Sequence, residues 1–320
     1  MSRPRPPAVG TSGADTWPAL RLGTPDYPPL LAAIHDPPRR LFLRGDRTGL
    51  LAGPCVAVVG ARSCSRYGAH VARSLGRELA AAGLVVVSGL AWGVDGEAHR
   101  GALETGATIA VLGCGIDRDY PRAHQELARR IADGGLIVSE YEPGVEPAPW
   151  RFPARNRIVA GLSSATVVVE ARERSGALIT AEFALEEGRE VLAVPGEITS
   201  GLSVGTNALI RQGAAPLLAV DDVLFALGIE PRPHAPPTVE GAAATVLIEL
   251  QAGAADADSL AHRTGLSASD VAAALVELEL AGLATGADGI FRAAVHRQAT
   301  GDGPRARVAD PKEADREERV

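Results

Sequence analysis

Lysine is all but missing from this sequence. Lys312 is the only one, so nearly all of the positive charge is arginine. A GC-rich genome accounts for such a bias without any function, and arginine also suits bidentate phosphate contacts. Cysteine is scarce as well. Cys55, Cys64 and Cys114 have neither the paired spacing of a metal site nor a disulfide framework, and read as reduced structural thiols. The first residues, "MSRPRPPAVGTSGADTW", lack the apolar core of a signal peptide. No apolar run reaches the roughly 18 residues of a membrane span. A cytoplasmic protein without a membrane partner is expected. Also missing are a GxxxxGK[ST] loop, HExxH, GxSxG and any carboxylate cluster spaced for two metals. No nucleophile–base pair stands out. The expectation is a protein that is not an enzyme, with no metal and no cofactor. The formal net charge of −7 excludes a surface that attracts polyanions everywhere. Any nucleic-acid site has to be a local basic patch.

What is there is room for a core. The chain has 320 residues, 46% of them hydrophobic, enough for one large domain and a small one. Short apolar runs recur at 56–60, 84–89, 108–113, 136–140, 165–171 and 190–196, mostly with stretches of helical period between them. Continuous apolar strands alternating with helices predict an α/β fold: an extended Rossmann-like parallel sheet covered by helices. Several strands end in glycine or a small polar residue, and ligands gather at such carboxyl ends. "GIEPRPHAPPTVEG" reads as a linker. After it, three helical stretches and a hairpin predict a small C-terminal winged-helix domain. The expected organisation is a disordered tail (1–16), the Rossmann-like domain (17–228), a linker (229–240), the winged helix (241–296) and a disordered charged tail (297–320).

Five stretches could carry chemistry. "VAVVGARSCSRYG" resembles a phosphate loop, with Gly60 at the turn and Ser63, Ser65 and backbone N–H groups near a helix start. In the dinucleotide fingerprint, a second glycine lets the backbone approach a pyrophosphate. Here that position is Arg62. An open site gripping a backbone phosphate fits an arginine there; so does an ordinary strand-to-helix turn. In "SGLAWGVDGEAH", Ser88 and Gly89 sit just past a strand, and Asp95 is either an N-cap or a site residue. "GCGIDRDYPRAHQ" puts Arg118, Tyr120 and Arg122 in a polar loop. "WRFPARNRIVAGL" interleaves Trp150 and Phe152 with Arg151, Arg155, Asn156 and Arg157. Single-stranded nucleic acid asks for that mixture, rings for bases and guanidiniums for phosphates; a basic surface turn with Phe152 in the core is the alternative. In "RSGALITAEFALEEG", Ser175 and Gly176 open a helix and form a second candidate anion nest, with Thr180 facing inward.

As a set, "GARSCSRYG", "SGLAWGVDGEAH", "YPRAH", "SEYEPG", "FPARNRIVAGLS", "RSGALITAEFALEEGREVLAVPG" and "GLSVGTNALIRQGA" resemble the DNA-processing protein A family (DprA, also called Smf), from about Asp26 to Leu227. The resemblance implies single-stranded DNA binding, a homodimer, and delivery of the RecA recombinase onto incoming strands in natural transformation. It places the DNA site on Gly60, Arg62, Arg122, Phe152, Arg155, Asn156, Arg157, Ser175 and Gly176, and Ser63, Ser88 and Gly89 are expected to join them from their places in the loops after two strands. It places the dimer contact near Leu209 and Ile210. Arg62, Arg122 and Arg157 are expected to meet at one rim of the sheet. The last long helical stretch, "SASDVAAALVELELAG", bears Asp270, Glu277 and Glu279 but no Lys or Arg. That predicts a weak DNA binder, better suited to a protein contact. The glycine-rich strand ends also resemble the lysine-decarboxylase-like (LOG) phosphoribohydrolases, nucleotide-processing enzymes in which Glu182 would be the acid. The Pro-Gly-Gly-x-Gly-Thr loop of that family is absent.

Overall fold

A computed structural model of the chain describes residues 17–230, 239–287 and 289–293. The two expected tails and most of the proline-rich linker lie outside the described residues. The chain divides into two compact units, Met1–Arg232 and Pro233–Val320.

The first unit opens with β1 (Ala19–Arg21), α1 (Pro29–Ala32) and β2 (Arg40–Arg44). It continues through β3 (Cys55–Val59), α2 (Arg66–Ala81), β4 (Val85–Ser88), α3 (Val94–Thr105), β5 (Thr108–Val111), α4 (Gln125–Gly134) and β6 (Leu136–Ser139). Then come α5 (Arg151–Gly161), β7 (Ala165–Val168), α6 (Gly176–Glu186), β8 (Glu190–Ala193), α7 (Val204–Arg211), β9 (Ala215–Pro216) and α8 (Val220–Ala226). Nine strands form one sheet in the order β1-β2-β6-β5-β4-β3-β7-β8-β9. All pairs from β6 to β9 are parallel. Only the edge departs from the expected parallel sheet: β2 is antiparallel to β6, and β1 to β2.

The apolar runs are continuous because both faces of the sheet are covered. Along β3, Cys55, Ala57 and Val59 face a core with Leu31 of α1, Ile158 of α5, Ala181 of α6 and Leu209 of α7. Val56 and Val58 face the opposite core, with Leu75 and Leu79 of α2, Ala98 of α3 and Val223 of α8. Alternate residues point to opposite faces, and here both faces are dry. The thiols belong to this packing. Burial pushes Cys55 up to about 12 and Cys114 up to about 11, and all three cysteines are free. No helix among the described residues is long and apolar enough to cross a membrane.

The second unit contains α9 (Gly241–Ala252), β10 (Ala255–Asp256), α10 (Ala257–Thr264), α11 (Ala268–Leu280), β11 (Ala284–Ala287) and β12 (Ile290–Ala293). It is the expected three helices plus hairpin, with a short third strand giving the order β10-β12-β11. Val246, Leu250, Leu260, Val271, Leu275 and Leu278 form its separate core. Asp256 caps α10 by accepting from Ser259 N–H (2.8 Å), and Ser267 caps α11 by accepting from Asp270 N–H (3.2 Å).

Candidate nucleic-acid interface

Chain order reverses between β3 and β7: β3 leads to β4 on one side, while β7 leads to β8 on the other. The loops beyond such neighbouring strand ends diverge and leave a crevice. Here it has a volume of about 390 Å³. Gly60, Arg62 and Ser63 reach it from the loop after β3. Gly89 and Asp95 come from the loop after β4 and from α3, Phe152, Arg155 and Asn156 from α5, and Arg172, Arg174, Ser175, Gly176 and Thr180 from the β7–α6 segment. Nine of the twelve residues expected to bind DNA thus share one cavity; Ser88, Arg122 and Arg157 do not line it.

The phosphate-like loop proves to be partly filled by the protein itself. Ser65 caps α2 by accepting from Gly68 N–H (3.0 Å). Its own N–H and hydroxyl donate to the two carboxylate oxygens of Glu170, at 2.9 and 2.5 Å. Glu170 is buried just beyond β7, and its carboxylate stands where a side chain at position 68 would be, which is why that residue is glycine. A helix N-terminus attracts negative charge, and this one has an internal anion. Gly60 is likewise small for packing: Val94 of α3 occupies the space of its missing side chain. Ser65 therefore faces Glu170, not a ligand. Arg62 and Ser63, just before this lock, remain exposed.

Two more expected contacts are structural. Ser88 is fully buried and donates its hydroxyl to Val58 O (2.6 Å), tying β4 to β3. Arg155 is only 4% exposed. Its guanidinium donates to Gly89 O (2.8 Å) and to Val111 O, joining the carboxyl ends of β4 and β5. Burial pushes its pKa down, and the Asp95 carboxylate opposes that. Asp95 accepts from Gly89 N–H (3.1 Å) and Ala91 N–H (3.4 Å); burial raises its pKa, and Arg155 is the first of the groups that offset this. Arg155 and Asp95 are thus a buried charged floor under the crevice. Between them Leu90 is held at a φ of 57°, a left-handed conformation unusual for a leucine, with its carbonyl accepting from the His124 ring at 3.0 Å.

Arg157 does not join Arg62. It points into a separate depression of about 340 Å³ beside Pro37 and Pro38. There it is bidentate to Glu140 (2.8 and 2.8 Å) and its Nε reaches Asp36 (2.9 Å). Burial pulls its pKa down, but Glu140 and Asp36 outweigh this and hold it above its ordinary value. Arg122 is exposed on a 3-10 turn, Arg122–His124. Its loop meets that of Arg62 indirectly, since Tyr120 stacks on Phe152 (5.3 Å) and Arg62 lies over the same ring (5.5 Å). Of the three arginines expected at one rim, only Arg62 lines the crevice; Arg157 is elsewhere, and Arg122 lies on the loop whose Tyr120 stacks on Phe152.

Across the crevice, Asn156 donates to Gly176 O (3.0 Å), and Ser175 caps α6 by accepting from Ala177 N–H (3.3 Å). Space beside Gly176 is open. Arg172 and Arg174 were missed by the sequence reading. Both are exposed and lack an ion-pair partner among the described residues, as does Arg62. The available signal was their place between a strand end and the Ser175 cap; the intervening Glu173 made the run look like an ordinary mixed-charge surface.

Residues 19–228 match the family described as DNA recombination-mediator protein A, and residues 230–289 match the DprA winged helix domain. The chain belongs to the DNA recombination-mediator protein A family. It is 42% identical over 301 residues to the putative DNA processing protein DprA of Mycobacterium tuberculosis, covering 88% of this chain and 76% of that one. DprA of Streptococcus pneumoniae is 47% identical over 213 residues, 65% of this chain and 73% of that one. The X-ray structure of the S. pneumoniae protein aligns with a TM-score of 0.64 at 45% identity, covering 68% of this chain and 76% of that one. DNA processing protein A from Helicobacter pylori, whose structure is described by its single-stranded DNA binding mode, aligns at a TM-score of 0.60 and 33% identity, covering 66% and 95%.

Two expectations carried from family resemblances need correction. In this member of the recombination-mediator family Leu209 is a core residue, and Ile210 is half-buried against the same core. The exposed apolar side chain on α7 is Val204. Glu182, the acid of the phosphoribohydrolase alternative, lies exposed on α6 and does not line the crevice.

Proposed function

We propose that the protein binds single-stranded DNA in this crevice, protects it, and hands it to the RecA recombinase during natural transformation. The observation that carries the reading is the trio Arg62, Arg172 and Arg174 around one cavity at the carboxyl edge of the sheet, without carboxylate partners among the described residues. In a protein of net charge −7, this is the local basic patch that a polyanion requires. Phe152 adds an aromatic wall, and the H. pylori relative's described binding mode supports the same ligand. Glu170 already fills the α2 nest, which favours a strand gripped from outside over a buried pyrophosphate. The role is one of binding and delivery, in the cytoplasm, with no bond made or broken. A homodimer using α7, through Val204 and the exposed part of Ile210, would present two crevices to one strand and raise avidity.

The test is an oligonucleotide titration over a series of salt concentrations. Binding should weaken linearly in log–log form, by about 0.7 per phosphate contact. Arg62→Ala should weaken binding to all sequences and make the slope shallower by about 0.7. An unchanged slope removes Arg62 from the contact, and absence of oligonucleotide binding overturns the reading. Delivery is tested by RecA filament formation on strands coated with a single-strand binding protein, which this chain should accelerate.

A further inference from the structure

The stack that links two loops continues outside the crevice. Arg62 lies over one ring, Phe152, which lines the cavity; Tyr120 stacks on that ring with planes 25° apart. Tyr120 is itself outside the cavity wall and 44% exposed. Its hydroxyl has no hydrogen-bond partner among the described residues, so nothing there anchors it as an internal strut. Two residues along the chain, Arg122 is exposed and has no ion pair among the described residues. A ring stacked on its inner side and wet on its outer side, next to an uncommitted guanidinium, matches what one nucleotide presents: a flat base and a phosphate. Duplex DNA keeps its base faces buried in its own stack, so only an unpaired strand can use such a ring.

Two other exposed rings, Trp92 and Trp150, fit this role less well. Trp92 is tilted 52° against His124, and Trp150 faces Arg151 at 4.9 Å. Neither lies on the ring that lines the crevice. We propose that Tyr120 is a base-stacking platform for the nucleotide next to the crevice, with Arg122 holding its phosphate, so that the strand leaves the cavity along the Phe152–Tyr120 stack. The inference rests on the single-stranded DNA reading and adds a subsite to it.

The competing role is that of a brace, with Tyr120 steadying Phe152 and thereby Arg62. Salt dependence separates the two. Stacking contributes a salt-insensitive part of the affinity, whereas a displaced Arg62 loses a phosphate and flattens the slope. The experiment uses the full chain, a fluorescent oligothymidylate longer than the crevice can hold, and a series of salt concentrations. Tyr120→Ala and Tyr120→Leu should each weaken binding by about 5- to 150-fold, with lines parallel to wild type. Tyr120→Phe should bind as wild type. Moving a single abasic site along the oligonucleotide should find a position that weakens the wild type but leaves Tyr120→Ala unaffected. The proposal is overturned if Tyr120→Ala or Tyr120→Leu binds like wild type, if either flattens the slope, or if no abasic position couples to Tyr120. If the wild type binds and Arg62→Ala impairs it while Tyr120→Ala does not, only the platform fails. If the wild type binds no oligonucleotide, the single-stranded DNA reading fails first.

Discussion

His99 is fully buried, and its ring is committed on one side only. Nδ1 lies 2.7 Å from Thr108 Oγ1, and that hydroxyl donates to Val86 O at 2.6 Å. The hydroxyl oxygen must therefore accept, so Nδ1 carries the proton and Nε2 is bare; it has no partner. Burial, then the charges of His124, Arg155 and Arg100, lower the pKa from 6.5 to about 3. In the unfolded chain the ring takes up its proton below about 6.5, and in the folded chain only near 3. Stability linked to His99 is thus complete above pH 6.5 and drains away as the pH falls toward 3. The expected slope is about 1.4 kcal/mol per pH unit. Urea unfolding at a neutral and a mildly acidic pH, above the range where carboxylates titrate, measures it. His99→Gln should be less stable at neutral pH and should lose that slope. An equal slope in both proteins would mean that the ring becomes protonated without unfolding.

Between β7 and α2 the connection is electrostatic as well as apolar. Glu170 holds both donors of Ser65 and neutralises the start of α2. Glu170→Ala should lower stability by about 1–3 kcal/mol, since buried donors lose their partner. Glu170→Gln, which keeps an acceptor, should cost less. A shifted urea midpoint with an unchanged m-value is the expected reading, and a midpoint equal to wild type would refute the lock. This lock was not legible in the sequence, because nothing in "VVVEA" tells whether its glutamate faces water or a helix start 105 residues earlier. The strands were legible because burial on both faces leaves continuous apolar runs. Helix α5 was not. Pro153 falls in its first turn, where no N–H is needed. Its inward positions include Arg155, and Arg157 is turned onto Glu140, so the segment shows no apolar period. For the same reason its arginines read as DNA contacts when two of them serve the fold. The tight Arg62–Phe152–Tyr120 stack was hidden too, since it joins three distant segments.

Across the described residues, the first unit's crevice gathers Arg62, Arg172 and Arg174 at one cavity, whereas the second unit shows two arginines, Arg263 and Arg292. On α11, Val271, Ala274, Leu275 and Leu278 turn into the core, which leaves Asp270, Ala272, Ala273, Val276, Glu277 and Glu279 outward. A helix that enters a DNA groove meets phosphates on both sides, and this one would bring carboxylates to them. Elsewhere in the unit, Arg263 is paired with Glu249 at 3.4 Å, and Arg292 is a single exposed arginine on β12. Each unit has its own closed core, so the two can be produced apart. Residues 17–232 alone should bind an oligonucleotide within about twofold of the full chain and with the same salt slope, because every crevice arginine lies in that part. Residues 238–296 alone should give no binding in fluorescence anisotropy at moderate salt. A large loss on truncation, with the first unit in the same oligomeric state as the full chain, would mean that the winged helix holds DNA despite its charge. Retained affinity leaves its Ala272–Val276 face for a protein contact, where small apolar side chains rimmed by carboxylates fit a basic partner.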